Sequence, residues 1–300
     1  MKRIEDICNQ VKNINRNIKI GIAGISGEEI RIIKEIAQYH FFEFVLVDRK
    51  DTIESLLKEH ELSGNNIYIE PVENVSLAPR KVFELLKEGK IHLPMKGQVH
   101  TSTFLKAVLD KEIGIASGKR LSQITVFDGY NDSLQFLTDC AININPNLNE
   151  KIEILNNAVS VYQNFNKEEP KVALLGAVET VSEKMPDTLD SAIITQMNRR
   201  GQIKNCIVDG PLSLDGAISK ELAEIKHITG PVAGNAQILL SSDLREANNL
   251  SKAIIHYAKK NAASIIAGTT RPLVMTSRSD STQNKINTIF IASYMMLQLS

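Results

Sequence analysis

The chain lacks an excess of charge of either sign. Among its 300 residues, 35 Lys and Arg balance 35 Asp and Glu, so no global field exists to hold nucleic acid or an anionic membrane surface. Any anion the protein binds is gripped locally. Cysteine is scarce: Cys8, Cys140 and Cys206 are far apart and form no CxxC or Cys/His cluster, which argues against zinc and against a secreted disulfide framework. A reducing cytoplasm fits that usage. The six histidines have no ligand spacing and no HExxH occurs, so a metal site is not indicated. No apolar run reaches the ~18 residues of a membrane span, and Glu5 and Asp6 stand where a signal peptide needs its apolar stretch. No internal repeat is visible at the roughly 20- to 50-residue periods of solenoids.

What is present is ordinary globular material, 43% hydrophobic and 23% charged, long enough for one large α/β domain or two of usual size. Short β-branched runs alternate with amphipathic stretches. Predicted strands include Lys19 to Ala23, Phe42 to Asp48, Ile91 to Met95, Phe136 to Ile142, Lys171 to Gly176 and Leu273 to Thr276. Predicted helices include Gly27 to Tyr39, Ser102 to Lys111, Asn149 to Asn164, Asp187 to Arg200 and Asp243 to Lys260. That rhythm indicates βαβ units on mostly parallel sheets, and continuous apolar runs such as FEFVLVD and KVALLGA indicate burial on both faces. A boundary is expected between Asn143 and Pro170. The last helix, from about Ser281, carries Ile286, Ile289, Phe290, Ser293 and Leu297 on one face. If it covers the sheet of the N-terminal half, the first domain is discontinuous, 1–142 with 278–300, and the second is 143–277.

Three segments are candidates for chemistry. In GIAGISGEE, residues 21–29, the spacing is GxxGxxG instead of the dinucleotide GxGxxG. Glu28 and Glu29 also put negative charge where a phosphate would sit, and Asp48 only echoes a ribose contact. A tight strand-to-helix turn is the simpler reading. In LPMKGQVHTSTFLKAVL, residues 93–109, a buried strand ends at Lys96, and Thr101, Ser102 and Thr103 stand at a helix start. Hydroxyls, free amides and a lysine together suit an anion; an N-cap with a solvated lysine is an equal alternative. In TTRPLVMTSRSDSTQNKINTIF, residues 269–290, Ser277, Arg278 and Asp280 arrive at the edge where open α/β folds bind ligands. Arg278 can fork onto phosphate, Ser277 can donate to an oxyanion, and Asp280 can accept a proton; the bland alternative is a helix cap at Asp280 or Ser281 with Arg278 in an ion pair.

The ordered blocks LPMKGQVHTSTFLKAVLDKE, FLTDCAININPNLNEKIEILNNAV, GAVETVSEKMPDTLDSA, IVDGPLSLDGAIS, GPVAGNAQILL and PLVMTSRSDS together resemble the phosphate acetyl/butyryl transferase family. The TDCAINI and SRSDS forms are closer to its phosphate butyryltransferase branch. The resemblance implies reversible acyl transfer between CoA and phosphate, giving acyl phosphate, with no metal or prosthetic group. It implies a cytoplasmic homodimer or higher homo-oligomer, with no nucleic-acid or membrane partner. The implied fold is two α/β domains with mostly parallel sheets flanked by helices, isocitrate/isopropylmalate dehydrogenase-like, with the active site in the interdomain cleft. Ser277 and Arg278 then lie at the reacting centre with Asp280 as candidate base. Lys96, Thr101, Ser102 and Thr103 would bind phosphate, and Asn248 and Lys252 would line the CoA side. Ser242, Ala247 and Asn284 depart from the family pattern. Phosphate acetyltransferase and a non-catalytic acyl-CoA-binding paralogue remain the alternatives.

Overall fold

The structure, a computed structural model, describes residues 1–14 and 16–299. The chain divides into two compact units: an outer unit, Glu5–Gly118 with Ala263–Ser300, and a middle unit, Met1–Ile4 with Lys119–Ala262.

In chain order, the outer unit begins with α1 (Ile4–Lys12), β1 (Ile18–Ala23), α2 (Gly27–Ile36), β2 (Phe42–Asp48), α3 (Lys50–Glu59) and β3 (Ile67–Pro71). Then follow α4 (Ala78–Lys87), β4 (Leu93–Lys96) and α5 (Thr101–Val108). The middle unit holds β5 (Ser122–Asp128), β6 (Leu134–Thr138), α6 (Leu148–Gln163), β7 (Lys171–Leu175) and α7 (Pro186–Arg199). It continues with β8 (Ile207–Leu212), α8 (Leu214–Ile218), α9 (Lys220–Ile225), β9 (Ile238–Leu240) and α10 (Leu244–Lys252). Strand β10 (Ala262–Ala267) carries the chain back to the outer unit, which ends in α11 (Thr282–Gln298).

The outer sheet has the order β3-β2-β1-β4, with every pairing parallel. The chain moves outward from β1 through β2 to β3 and then crosses to the other side of β1, so β1 and β4 flank a topological switch point. Beside β4, Met95 forms a parallel bridge to Val274 and the Lys96 N–H donates to the Val274 carbonyl at 2.8 Å. The predicted strand Leu273 to Thr276 is therefore a single bridge, because only one residue pair aligns before the chain turns at Ser277. Gly97 permits the close approach at the switch: a Cβ there would lie 2.0 Å from the Gly24 carbonyl oxygen.

Helix α11 packs on α2 and β4. The Phe290 ring meets Phe42 and Tyr39 edge-on, with centroids 5.4 and 5.5 Å away; such pairs add roughly 0.5–1.5 kcal/mol to the burial itself. The helix is not amphipathic as its pattern suggests, since every residue from Asn284 to Tyr294 is buried. Each fully buried Ile or Phe there contributes about 1.5–3 kcal/mol.

In the middle unit the strands run β5-β6-β9-β7-β8, antiparallel between β5 and β6 and parallel thereafter. Leu137, Ala173, Leu239 and Leu212 from neighbouring strands form its core with Cys140 and Ala247. The unit boundaries at 118/119 and 262/263 correct the expected 142/143 and 277/278. Strands β5 and β6 join the middle sheet through the β6 to β9 ladder, and the segment before Ser277 bridges β4. Helix α10 stops at Lys252, where a π turn over Ala253–Tyr257 replaces the expected continuation to Lys260. All three cysteines are free and buried. Burial pushes the Cys140 thiol up to about 12 and the Cys206 thiol to about 11.

Candidate functional site

The glycine-rich turn after β1 is a structural device. Gly24 takes φ +74°, the left-handed region that glycine enters without steric cost, and Ser26 caps α2. Its hydroxyl accepts the Glu28 N–H at 3.2 Å, while Glu29 accepts from the Ser26 N–H at 2.8 Å and the Ser26 hydroxyl at 2.6 Å. This capping box occupies the end of α2 that a phosphate would need. Asp48 is buried, taking the Ile25 and Arg49 amides at 2.9 and 2.7 Å, and so braces the same turn.

The opposite wall of the switch point has another character. Lys96, the last residue of β4, is only 7% exposed, and its ammonium donates to the Gly97 carbonyl at 3.3 Å. Burial, and then the neighbouring Arg278 guanidinium, hold its pKa below the ordinary lysine value. Lys285 adds to the lowering, while Glu29 and Glu28 oppose it. Both acids are engaged elsewhere, Glu29 with Ser26 and Glu28 in an ion pair with the buried Lys285. Among the described residues neither Lys96 nor Arg278 forms an ion pair. Two cations are thus held close together at the carboxyl edge of a parallel sheet, an arrangement stabilised by an anion between them.

Ser277, Arg278 and Asp280 lie on the turn that precedes α11. The Ser277 N–H donates to Asp280 Oδ2 at 2.9 Å, the Asp280 N–H donates to the Ser277 carbonyl at 3.2 Å, and the Ser277 and Ser279 hydroxyls are 3.1 Å apart. The helix cap is Ser281, whose hydroxyl accepts the Asn284 N–H at 3.2 Å. Asp280 therefore stands outside the helix, in the turn just before its cap. Asn284 is buried, on the first turn of α11.

Thr101, Ser102 and Thr103 form the first turn of α5, following His100, whose side chain makes no cap hydrogen bond. Thr101 and Ser102 are exposed and Thr103 is half-buried. Asn248 and Lys252 belong to the middle unit. Asn248 donates from its amide to the Cys140 carbonyl at 2.9 Å, tying α10 to the loop after β6, and Lys252 is the last residue of α10, half-buried. That loop is organised by Asp139, which accepts the amides of Gln123, Ala141, Ile142 and Asn143 between 2.9 and 3.2 Å.

The departure at Ser242 has a partner that spacing alone did not reveal. The Ser242 N–H and hydroxyl both donate to Glu246, at 2.8 and 3.1 Å. Burial raises the Glu246 pKa above the usual carboxylate value, partly opposed by these bonds. Ala247, the other departure, is fully buried in the core of the middle unit. Lys285 was also missed; the available signal was that it is the single charged residue on the last helix. No cluster of three or more His, Cys, Asp or Glu side chains suited to a metal ion occurs among the described residues. No helix there is long and apolar enough to cross a membrane.

The chain is 39% identical over 295 residues to a phosphate butyryltransferase of Clostridium acetobutylicum, covering 98% of each chain. It is 37% identical over 261 residues to a phosphate acetyltransferase of Rhizobium meliloti, covering 86% of this chain and 82% of that one. The crystal structure of a branched-chain phosphotransacylase from Enterococcus faecalis V583 superposes with a TM-score of 0.83 at 29% identity, covering 93% of this chain and 99% of the other. A family pattern matches residues 28–293, a stretch that takes in Lys96, the Ser277 to Asp280 turn and α10, and by that match this chain belongs to the family described as Phosphate acetyl/butaryl transferase.

Proposed function

We propose that the protein is a phosphate acyltransferase that moves a short-chain acyl group, butyryl or branched, reversibly between CoA and phosphate. The observation that carries this reading is the pair of cations at the switch point, Lys96 and Arg278, with no ion-pair partner among the described residues. A phosphate or acyl phosphate supplies the missing negative charge, and the Arg278 fork can bind two of its oxygens at once.

The residue roles follow from the chemistry. Attack on the thioester carbonyl builds negative charge on its oxygen, for which the Ser277 hydroxyl and the first-turn amides of α5 at Thr101 to Thr103 are donors. In the reverse direction the CoA thiol, largely protonated near neutral pH like a cysteine, must lose its proton, and Asp280 is the nearby carboxylate. Asn248 and Lys252 are assigned to the CoA side. The transfer is direct, with CoA and phosphate as substrates and no metal or prosthetic group. Butyryl is favoured over acetyl because the butyryltransferase relative matches nearly end to end, whereas the acetyltransferase match is shorter. A cytoplasmic homo-oligomer completes the reading. Its support is Leu189 and Ile193, one turn apart on α7 and 37% and 45% exposed, the kind of apolar pair that subunit contacts cover.

The test is to incubate the protein with phosphate and a panel of acyl-CoAs and follow thiol release. Faster release from butyryl-CoA or a branched acyl-CoA than from acetyl-CoA is the expected result. Release independent of phosphate, or none with any acyl-CoA, refutes the proposal. Arg278→Lys keeps the charge and loses the fork, so it should lower turnover at unchanged thermal stability.

A further inference from the structure

Lys285 is a cation in a place that the helix around it does not favour. It is the only charged residue on α11 and lies at the end of the first turn, where the helix dipole opposes positive charge. It is also buried, 3% exposed. An apolar side chain of similar length would avoid the desolvation cost of a buried charge. The Lys285 ammonium donates to Glu28 Oε1, on the first turn of α2. That end of a helix already favours an acid, so Glu28 does not need the lysine to stay ionised.

The pair stands where three elements meet. Strands β1 and β4 align with Ala23 opposite Lys96, α2 opens just beyond Ala23, and α11 packs on both α2 and β4. Arg278, Glu29, Lys285 and Glu28 accordingly all act on Lys96 through their charge. The two acids are the groups that could neutralise Lys96 in place of a ligand, and each is engaged by a different device. Glu29 is 6% exposed and fixed within the α2 cap, where it takes the Ser26 N–H and hydroxyl. The Glu28 side chain is 32% exposed, and its ion-pair partner among the described residues is Lys285.

A strut between two helices is the plainer role for such a pair, and it differs from a guard in one respect. A strut fails equally when either partner is removed. A guard fails only when the lysine goes, because that releases an acid toward Lys96, whereas removal of Glu28 releases none.

We propose that Lys285 is a positioning residue for phosphate: by engaging the Glu28 carboxylate it keeps that acid off Lys96, which then remains with Arg278 for the phosphate of the substrate. The inference rests on the phosphate reading of the Lys96 and Arg278 pair. Calorimetric titration of the full-length protein with inorganic phosphate tests it, with circular dichroism to verify folding. Lys285→Met should weaken phosphate binding roughly tenfold or more, the loss of one charge-assisted contact. In the acyl-transfer assay the defect should appear in the KM for phosphate, with kcat within about twofold. Adding Glu28→Gln to Lys285→Met should restore the affinity to within about threefold of the parent, and Glu28→Gln alone should weaken it not at all. Phosphate binding unchanged in Lys285→Met, or a double variant as weak as the single one, overturns the proposal. Glu28→Gln carries the test by itself if Lys285→Met does not fold, since weaker binding there is the strut's result. Lys96→Met separates the two readings. Affinity indifferent to Lys96 removes the phosphate reading together with this inference, whereas affinity that depends on Lys96 but not on Lys285 removes this inference alone.

Discussion

Asp280 Oδ2 accepts the Ser277 backbone N–H at 2.9 Å, so the carboxylate assigned to proton transfer also fixes the turn that presents Ser277 and Arg278. The two roles separate by substitution. Asn can still accept the amide through its carbonyl oxygen but cannot take a proton. Asp280→Asn should therefore slow acyl-CoA formation by about a hundredfold, the lower end for general-base catalysis, with little change in melting temperature. Asp280→Ala should lose the turn as well and raise the KM for phosphate. An Asn variant with full activity in both directions would leave Asp280 the turn alone.

Lys96 gives the site a pH dependence of defined sign. Its pKa is lowered in the folded protein by burial and Arg278, and an anion beside it favours the charged form again. Anion binding should then take up protons, and affinity should fall as pH rises toward and through the lowered value. Sulfate, which does not titrate in this range, isolates the effect. Titrations from neutral pH upward in two buffers of different ionisation enthalpy read the proton uptake, and Lys96→Met should flatten the profile.

The approach of β1 and β4 depends on an absent side chain. A Cβ at residue 97 would stand 2.0 Å from the Gly24 oxygen and 3.2 Å from the Ala23 oxygen, and neither backbone can yield without opening the switch point. Gly97→Ala should cost at least the about 1–3 kcal/mol typical of overpacking, read as a lower urea midpoint at unchanged slope, and should weaken sulfate binding with it.

Glu246 predicts a pH effect on stability. Its folded pKa is raised, so between the ordinary carboxylate value and that raised value the folded state holds a proton that the unfolded state has released. Stability falls with rising pH across that window, as the ionised form is forced into a half-buried place near Asp243 and Asp187. Glu246→Gln should remove this part of the slope in denaturation curves taken from acidic to neutral pH.

The alternating rhythm of strands and helices was legible because the inner strands of both sheets are buried on both faces, leaving long apolar runs such as β2 and β7. The glycine-rich turn was also readable, since Glu28 and Glu29 announced a capped helix in place of a phosphate loop. Assignment of strands to sheets was not legible. Nothing local in β5 and β6 tells which unit they join, because the ladder from β6 to β9 pairs residues about a hundred positions apart. The same limit hid the bridge from Met95 to Val274 and the contact of Asn248 with Cys140. At the candidate site, residue types were visible but their states were not. That Lys96 is buried beside Arg278, and that Asp280 precedes the helix, depend on where the chain turns in space.

The burial of Cys8, Cys140 and Cys206 bears on how the protein can be assayed. Only thiolates react quickly with disulfide reagents, and burial with raised pKa values suppresses both access and ionisation at Cys140 and Cys206. A chromogenic disulfide added to the native enzyme should thus report released CoA almost free of protein background. After denaturation the same reagent should titrate three further thiols per chain, so one chemistry reads turnover while the fold holds and counts molecules once it is lost.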